Sequence, residues 1–384
     1  MQSNYKRLGD YIREVKIKNT DLKATLLLGI NIDKFFMPSV ANVVGTDMKT
    51  YRVVNKNQFA CNRMHVGRDY RIPIALSKRD EPFMVSPAYD VFEIIDPSFL
   101  LPEYLMMWFS RKEFDRNAWF HTDADVRGGL PWKLFCDLKF PIPSPEKQLE
   151  IVREYNVIQN RIKLNNQLIA KLEETAQAIY KQWFVDFEFP DENGLPYNSN
   201  GGEMVESELG EIPKGWVFGA LDKCVEVKYG KDYKHLSSGN IPLYGSGGIM
   251  TYVNAYLYAK LSVLIPRKGS LNNILIISEP FWSVDTMFYT VPRIDNILYY
   301  LFYHLKTMDF NSLNVGSAVP SMTTNYLNGM PINIPSPNLL EMHHMIIKKL
   351  FTVINNKRKE LNYILQLKHL VLAKMTKVET EEFA

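Results

Sequence analysis

Cysteine is scarce in this chain, and its scarcity excludes two classes of protein. Three cysteines, Cys61, Cys136 and Cys224, occur among 384 residues, and they are far apart. An odd number of distant cysteines fits neither a disulfide framework nor a CxxC metal site. We therefore expect a protein of a reducing cytoplasm, held together by its core, with no metal site.

Excess charge of one sign and long apolar runs are also missing. Lys and Arg total 45 and Asp and Glu total 42, so the net charge is only +3 and nucleic-acid binding would need local basic patches. The longest apolar stretch, 297–303, is far shorter than the ~20 residues that span a bilayer. No apolar run follows the basic N-terminal residues, so we expect no secretory signal. The length predicts two to three soluble domains.

Catalytic signatures are missing as well. The chain has no GxxxxGK[ST] phosphate loop and no Asn/Asp-Pro-Pro-Tyr/Phe sequence of the adenine-methyltransferase type. Carboxylates between 186 and 211 form an acidic run in a linker-like stretch, which favours solvated charge over a metal site. The histidines show no ligand spacing. We predict no catalytic residue and no metal ligand.

What the chain does contain is a long internal repeat. The Ile-Pro-Ser-Pro sequence at 142–145 recurs at 334–337, half the chain away. Upstream, Glu-Pro-Phe at 81–83 recurs at 279–281, and the apolar segment 104–114 matches 300–310. Three landmarks in the same order, each in the same local context, predict a duplicated architecture.

A heptad pattern follows each Ile-Pro-Ser-Pro sequence. Apolar residues from Ile151 to Trp183 alternate at spacings of four and three, and the positions 192 residues later, His343 to Met375, keep the same phase. This spacing is typical of coiled coils, although two separate amphipathic helices would also fit. If the helices pair antiparallel, the polar Asn165 and Lys357 meet near the middle. The central seam residues are Ile158, Ile162, Asn165, Ile169, Leu172, Leu350, Ile354, Lys357, Leu361 and Ile364.

The pattern predicts an α+β fold with two tandem mixed α/β domains, separated by two long helices that form an antiparallel coiled coil with pseudo-twofold repetition. We predict a first domain at 1–143, a helix at 144–189, a linker at 190–204, a second domain at 205–333, and a second helix with its tail at 334–384.

Several sequence stretches resemble the specificity (S) subunits of type I restriction–modification enzymes. The strongest are 179–187 (IYKQWFVDF) and 208–216 (ELGEIPKGW), which the family commonly carries before its second target-recognition domain. Residues 85–89 (VSPAY) resemble a first-domain signature, and 241–249 (IPLYGSGGI) and 316–321 (GSAVPS) resemble second-domain ones. The second helix departs from the family pattern, because 338–341 (NLLE) lacks the acidic-Gln pair that 146–148 (EKQ) approximates.

The resemblance implies that each domain reads one half of a bipartite, asymmetric DNA site. It implies partners: double-stranded DNA, two methyltransferase (modification) subunits that dock on the helices, and restriction subunits. S-adenosylmethionine would belong to the methyltransferase, and ATP and Mg to the restriction subunit. Independently, the 28 residue steps from Ile151 to Ile179 would span ~42 Å as a helix, about a dozen base pairs.

Basic loops at corresponding places are the candidate DNA contacts, because Arg pairs with guanine and Asn with adenine through two hydrogen bonds. The Gly-rich turn near Tyr244 offers backbone amides to a phosphate. The predicted contacts are Asn62, Arg63, His65, Arg68, Arg71 and Arg127 in the first domain, and Tyr244, Ser246, Arg267, Lys268, Asn272 and Ser317 in the second.

Two other functions remain open at this point. A stand-alone sequence-specific DNA-binding regulator would bind DNA without partners, and a coiled-coil protein–protein adaptor would show no salt-dependent DNA binding. An enzyme has almost no support in the sequence.

Overall fold

A computed structural model describes residues 5–40, 45–64, 66–122, 128–310, 312 and 322–377. The chain divides into two units, which we call unit 1 (Met1–Asn165 with Glu360–Ala384) and unit 2 (Asn166–Lys359). Each unit contains one globular half and a part of each long helix. The predicted domain boundaries stay predictions.

Unit 1 is built on a four-stranded antiparallel sheet in the order β2-β9-β6-β7, with short two-stranded pairs around it. Its strands are β1 Tyr5–Arg7, β2 Ile12–Val15, β3 Leu28–Ile30, β4 Phe36–Pro38, β5 Arg52–Val54, β6 Phe59–Cys61, β7 Ile74–Leu76, β8 Phe83–Val85, β9 Asp90–Ile94 and β10 Lys139–Pro141. Its own helices are α1 Val66–Asp69, α2 Pro102–Phe109, α3 Lys112–Phe120 and α4 Trp132–Asp137, with 3₁₀ turns at Leu8–Asp10 and Met48–Thr50.

The core of unit 1 lies between this sheet and the helices. Phe59 and Phe92 stack across neighbouring strands at 5.0 Å, and Phe109 and Phe135 pack on them edge-on or tilted. All four rings are fully buried. Aromatic pairs of this kind add stability beyond the apolar area that they bury.

Unit 2 repeats the plan. Its four-stranded antiparallel sheet has the order β14-β20-β17-β18. Its strands are β11 Met204–Ser207, β12 Gly210–Pro213, β13 Val217–Ala220, β14 Val225–Tyr229, β15 Ser238–Gly245, β16 Gly248–Val253, β17 Ser262–Pro266, β18 Leu275–Ile277, β19 Trp282–Ser283, β20 Met287–Pro292 and β21 Pro331–Ile334, and its own helices are α6 Leu221–Cys224, α7 Ile297–Lys306 and α8 Thr324–Asn328.

The strand order supports the predicted duplication. In chain order, the first strand of each large sheet (β2 or β14) pairs with the fourth (β9 or β20). The fourth strand also pairs with the second (β6 or β17). A separate antiparallel pair, β1 with β10 in unit 1 and β13 with β21 in unit 2, joins the start of each globular half to the strand before its long helix. The predicted α+β class is confirmed.

The two long helices are α5, Pro145–Phe184, and α9, Pro337–Lys377. Every predicted seam position is buried or half-buried, whereas Val157 and Leu164 on α5 and Leu370 on α9 are 59–70% exposed. Both helices begin with proline. Proline has no backbone N–H, and at the first position of a helix that group would have no hydrogen-bond partner inside the helix. The predicted heptad phase is therefore correct.

The helices run antiparallel inside each unit. In unit 1, Glu154 pairs with Lys374 at 3.3 Å, and Arg161, further along α5, pairs with Glu360, further back on α9. In unit 2, Glu173 pairs with Arg358, and the end of α5 packs on His343, near the start of α9. The two polar residues of the central seam are sheltered: Asn165 is buried and Lys357 half-buried. That Asn165 and Lys357 face each other stays a prediction.

The predicted linker, 190–204, has internal structure. The Asp191 carboxylate accepts backbone N–H groups of Asn193 and Leu195, and Tyr197 stacks on Phe189 at 4.6 Å. Phe189 in turn stacks on Trp216. This segment is therefore a folded part of unit 2.

The cysteines are free and buried, and burial raises the pKa of the Cys224 thiol to about 11. Over the described ranges, no helix is both long and apolar enough to cross a lipid bilayer.

Buried histidines predict acid sensitivity of unit 2. His343 is fully buried against Phe184, and neither ring nitrogen has a hydrogen-bond partner. Burial lowers the pKa of His343 to about 3 and that of His304 to about 4. The unfolded chain takes up these protons near pH 6.5 and the folded chain does not, so unfolding becomes easier as the pH falls below ~6.5.

We expect each of these histidines to remove ~1.4 kcal/mol of unfolding free energy per pH unit between about pH 6 and pH 4. Urea unfolding at pH 7, 6 and 5 measures it, and His343→Leu should flatten the slope by one histidine's share. The exposed His235→Leu is the matched control. An equal slope in wild type and His343→Leu would contradict the assignment.

Candidate nucleic-acid interface

In unit 1 the structure brings together two separately predicted segments. Residues 62–73 connect β6 to β7, and the Gly67 N–H donates to the Gly128 carbonyl at 2.7 Å. A Cβ built on Gly67 would lie 2.7 Å from the Gly128 Cα, so only glycine permits this contact. The basic loop and the segment before α4 therefore form one surface. His65 and Arg127, both predicted contacts, lie outside the described residues.

The glycine contact gives a stability prediction. Gly67→Ala should lower the unfolding free energy of unit 1 by about 1–3 kcal/mol through overpacking, although alanine is otherwise the better helix residue. Gly129→Ala is the matched control, because its Cβ would lie at an ordinary 3.8 Å from its nearest neighbour, the Arg63 carbonyl oxygen. Urea denaturation of both variants measures the difference, and equal stabilities would show that the two segments separate easily.

Arg63 points into unit 1. Its Nε donates to Asp90 at 2.7 Å, its Nη1 donates to the Leu130 carbonyl, and its guanidinium lies over Trp132 at 5.4 Å. Its side chain is only 17% exposed. Arg63 therefore holds the loop against β9 and the segment before α4. A contact between Arg63 and DNA stays a prediction.

The other described basic residues of this loop reach solvent. Arg68 makes a two-pronged ion pair with Asp69, at 2.7 and 3.0 Å, and Arg71 pairs with Asp33 of the β3–β4 turn at 2.9 Å. Asn62 is half-buried and its side-chain oxygen accepts the Met64 N–H. Exposed ion pairs are weak, so a phosphate or base can compete for these arginines.

Exposed aromatic residues stand beside the loop, and sequence reasoning missed them. Tyr70 packs against Trp119 with ring centres 5.3 Å apart, and these side chains are 63% and 41% exposed. The next residue, Phe120, is 78% exposed. In a sequence, aromatic residues on a helix look like core. Their exposure beside arginines is the arrangement that stacks on nucleic-acid bases.

In unit 2 the corresponding loop, 267–274, joins β17 to β18. It packs against the Gly-rich β15–β16 turn, because Asn273 donates to the Ser246 carbonyl at 2.8 Å and Gly269 lies against the Ser246 hydroxyl. Ser246 and Tyr244 are half-buried, and burial raises the pKa of Tyr244 to about 12. Asn272 is occupied on both sides, donating to Asp309 and accepting the Phe310 N–H.

Arg267 and Lys268 carry the positive charge of this surface. The Arg267 guanidinium lies 5.4 Å from the centre of the Tyr229 ring, whose hydroxyl is 3.3 Å from Thr324. Lys268 is exposed, and the described part of the chain offers it no carboxylate partner. Tyr229, 48% exposed, is a further aromatic residue that sequence reasoning missed. Ser317 lies outside the described residues.

The two surfaces share one backbone contact. The Arg63 carbonyl accepts the Leu130 N–H at 2.9 Å, and the Arg267 carbonyl accepts the Met322 N–H at 2.8 Å. In unit 1 this bond joins the loop after β6 to the segment before α4. In unit 2 it joins the loop after β17 to the segment before α8. Within the ranges that the structure describes, no three His, Cys, Asp or Glu side chains form a possible metal site.

Comparisons with known proteins agree with this geometry. Residues 213–366 match the family described as the type I restriction modification DNA specificity domain. The type I restriction enzyme MjaIX specificity subunit of Methanocaldococcus jannaschii is 23% identical over 314 residues, 73% of this chain and 70% of that protein. The predicted resemblance to type I specificity subunits is confirmed.

One further relative and one solved structure are also similar to this chain. The type I restriction enzyme HindI specificity subunit of Haemophilus influenzae is 31% identical over 124 residues, 31% of this chain and 26% of that one. The crystal structure of a type I restriction–modification S subunit from M. genitalium matches with a TM-score of 0.62 at 14% identity, covering 97% of this chain and 95% of that one. At that identity it shows a shared fold. The segment that matches the family model, 213–366, contains Arg267, Lys268 and Tyr229 with the Gly-rich turn.

Proposed function

We propose that this chain is the DNA-reading subunit of a type I restriction–modification complex, with each unit reading one half of a bipartite asymmetric site. One observation carries the proposal. The corresponding loop, fixed by the corresponding backbone bond, presents arginine near exposed aromatic side chains in both units, and in unit 2 it lies within the segment that matches the DNA specificity family.

The recognition chemistry follows from these side chains. Arg68, Arg71 and Arg267 supply guanidinium groups that pair with guanine or phosphate, and Lys268 adds a compact charge suited to phosphate. The half-buried Arg63–Asp90 pair positions the loop that carries the exposed arginines, and we assign it no direct contact with DNA. Since the net charge is small, these local groups supply the attraction.

In this proposal the long helices dock two methyltransferase subunits and set the unread spacer. A stiff helix rises ~1.5 Å per residue, so its length converts directly into base pairs. The chain itself is non-catalytic and cytoplasmic. S-adenosylmethionine belongs to the methyltransferase subunits, and ATP and Mg belong to restriction subunits.

Exchange of the first domain tests the proposal. Replacing residues 1–143 by the first domain of another specificity subunit should change one half of the methylated motif and leave the other half unchanged. The measurement is genome-wide mapping of methylated adenine in cells with the exchanged subunit and its methyltransferase. A change in both halves would contradict separate reading.

The same preparation separates the two other candidate functions. A stand-alone regulator would bind its site equally well without methyltransferase subunits. A protein–protein adaptor would show no salt-dependent DNA binding even when these subunits are supplied.

A further inference from the structure

An exposed apolar strand stands beside the basic loop of unit 2. β16 is the outer strand of a three-stranded sheet in the order β16-β15-β19, and its residues 249–252 are all exposed. Ile249, Met250 and Tyr252 are 52%, 55% and 47% exposed. An outer strand that presents apolar side chains to water favours an interface, because its side chains and its backbone edge are both uncovered.

The turn that precedes β16 is fixed to the basic loop, residues 267–274. Asn273 donates to the Ser246 carbonyl at 2.8 Å. In unit 1 the β3–β4 turn is joined to its own basic loop in a similar way, by the Asp33–Arg71 ion pair at 2.9 Å. Each of the two surfaces therefore contains a hairpin as well as a loop.

Met250 lies on the face of the three-stranded sheet that adjoins Arg267. A Cβ built on Gly245 of β15 would lie 2.5 Å from Met250 Sδ and 3.8 Å from Val284 Cγ2, so both side chains lie over Gly245 on one face. The residue after Val284 is Asp285, whose carbonyl accepts a hydrogen bond from Arg267 Nη1 at 3.4 Å. Met250 is therefore close to Arg267, with Val284 and Asp285 between them.

Ile249 points to the opposite face. It pairs across the strands with Tyr244, and these two side chains line a cavity together with Glu173 and Glu174 of α5. Carboxylates repel the phosphates of DNA. The two neighbouring apolar residues, Ile249 and Met250, thus stand in opposite electrostatic surroundings.

Positive charge stands on both sides of Val284. The exposed Lys231 donates its backbone N–H to the carbonyl of Ser283, the residue before Val284, at 2.9 Å. Arg267 is bound at the residue after it. The Met250 face therefore attracts the phosphates that the Ile249 face repels.

We propose that Met250 reads the C5-methyl group of a thymine in the half-site of unit 2, an inference that rests on the proposed function. The major groove of B-DNA admits a two-stranded β-ribbon, and thymine presents a methyl group there. Methionine is flexible and polarizable, which suits an apolar contact of this kind. Arg267 then recognises hydrogen-bonding groups of the half-site while Met250 recognises a methyl group.

Uracil lacks only this methyl group, so replacing each thymine of the half-site in turn by uracil tests the proposal. The half-site is the half of the methylated motif that exchange of residues 1–143 leaves unchanged. Fluorescence anisotropy measures the affinity of the full chain, assembled with methyltransferase subunits, for duplexes that carry the motif. At one thymine we expect uracil to weaken wild-type binding about fourfold, the value of one buried methyl group.

Three variants assign the effect to one side chain. Met250→Ala should bind the thymine and uracil duplexes equally, whereas Met250→Leu should keep the difference because it keeps an apolar contact. Ile249→Ala, at a similar exposure on the opposite face, should behave like wild type. Since Met250 is more than half exposed, Met250→Ala should unfold in urea as the wild type does.

The other outcomes overturn the proposal. A Met250→Ala complex that still distinguishes thymine from uracil removes Met250 as the reader. Wild-type indifference at every thymine, or a half-site without an A·T pair, removes the methyl group as the target. Equal effects of Ile249→Ala and Met250→Ala show that the face is wrong. Failure of the proposed function is distinct, because the wild-type complex would then bind duplexes with and without the motif equally.

Discussion

Ile354→Asp is expected to remove a large part of the stability of unit 2. Ile354 is fully buried on the seam of α9, inside the unit that ends at Lys359. The change removes a buried apolar side chain and leaves an unpaired charge in a dry interface, which together cost about 4–5 kcal/mol. Domains of this size are stable by only about 5–15 kcal/mol.

The neighbouring residue supplies the control. Val353 is 41% exposed, so Val353→Asp adds the same charge one position away and should change stability by less than ~0.5 kcal/mol. Ile364→Asp and Leu365→Asp, 8% and 43% exposed, form the matched pair for unit 1. Urea unfolding followed by circular dichroism measures all four, and assembly with methyltransferase subunits provides a second readout. Equal effects within a pair would show that the heptad phase is wrong.

The seam could be predicted because it depends on local periodicity alone. A spacing of four and three residues places side chains on one helix face whatever the rest of the chain does, and His343 obeyed the phase although histidine is polar. The duplication could be predicted for a similar reason, since the Ile-Pro-Ser-Pro landmarks stand directly before α5 and α9.

Side-chain direction in the loops could not be predicted, because it depends on partners distant in sequence. Arg63 and Arg68 are five residues apart and chemically alike, yet Asp90 and Trp132 hold Arg63 inside while Arg68 reaches solvent. Trp119 and Phe120 differ from Arg63 in the opposite direction, because their residue type favours the inside and they are exposed. Aromatic residues on a short helix predict core, and only the fold shows that these two are exposed.

The order of the predicted linker, 190–204, could not be read from its composition for a related reason. Polar, Gly-containing segments are usually mobile, but Phe189 and Tyr197 at the edges of this one supply a stacked pair that packs on Trp216. The polar residues between them then form turns closed by Asp191. The packing of these two aromatic side chains therefore orders a segment whose other residues are mostly polar.

The double variant Arg267→Met, Lys268→Met should abolish useful DNA binding by the assembled complex. A base-reading arginine contributes about 1–3 kcal/mol of discrimination, and loss of one phosphate contact also lowers the slope of log K against log salt by about 0.9. From the arginine we expect a loss of about 5- to 150-fold in affinity for the cognate duplex, since each 1.4 kcal/mol is tenfold, and loss of the Lys268 contact adds to it.

Single substitutions then separate the two roles. Arg267→Lys keeps the charge and loses the two-pronged fork, so it should reduce discrimination at one base position while leaving the salt slope intact. Lys268→Met should weaken cognate and non-cognate DNA alike. The control is Lys260→Met, an exposed charge just before β17, at the opposite end of that strand from Arg267. If Lys260→Met weakens binding as much as the double variant does, the reading surface of unit 2 is at the other end of its sheet. If neither does, this loop does not bind DNA, because the positive charges of Arg267 and Lys268 are gone and the affinity has not changed.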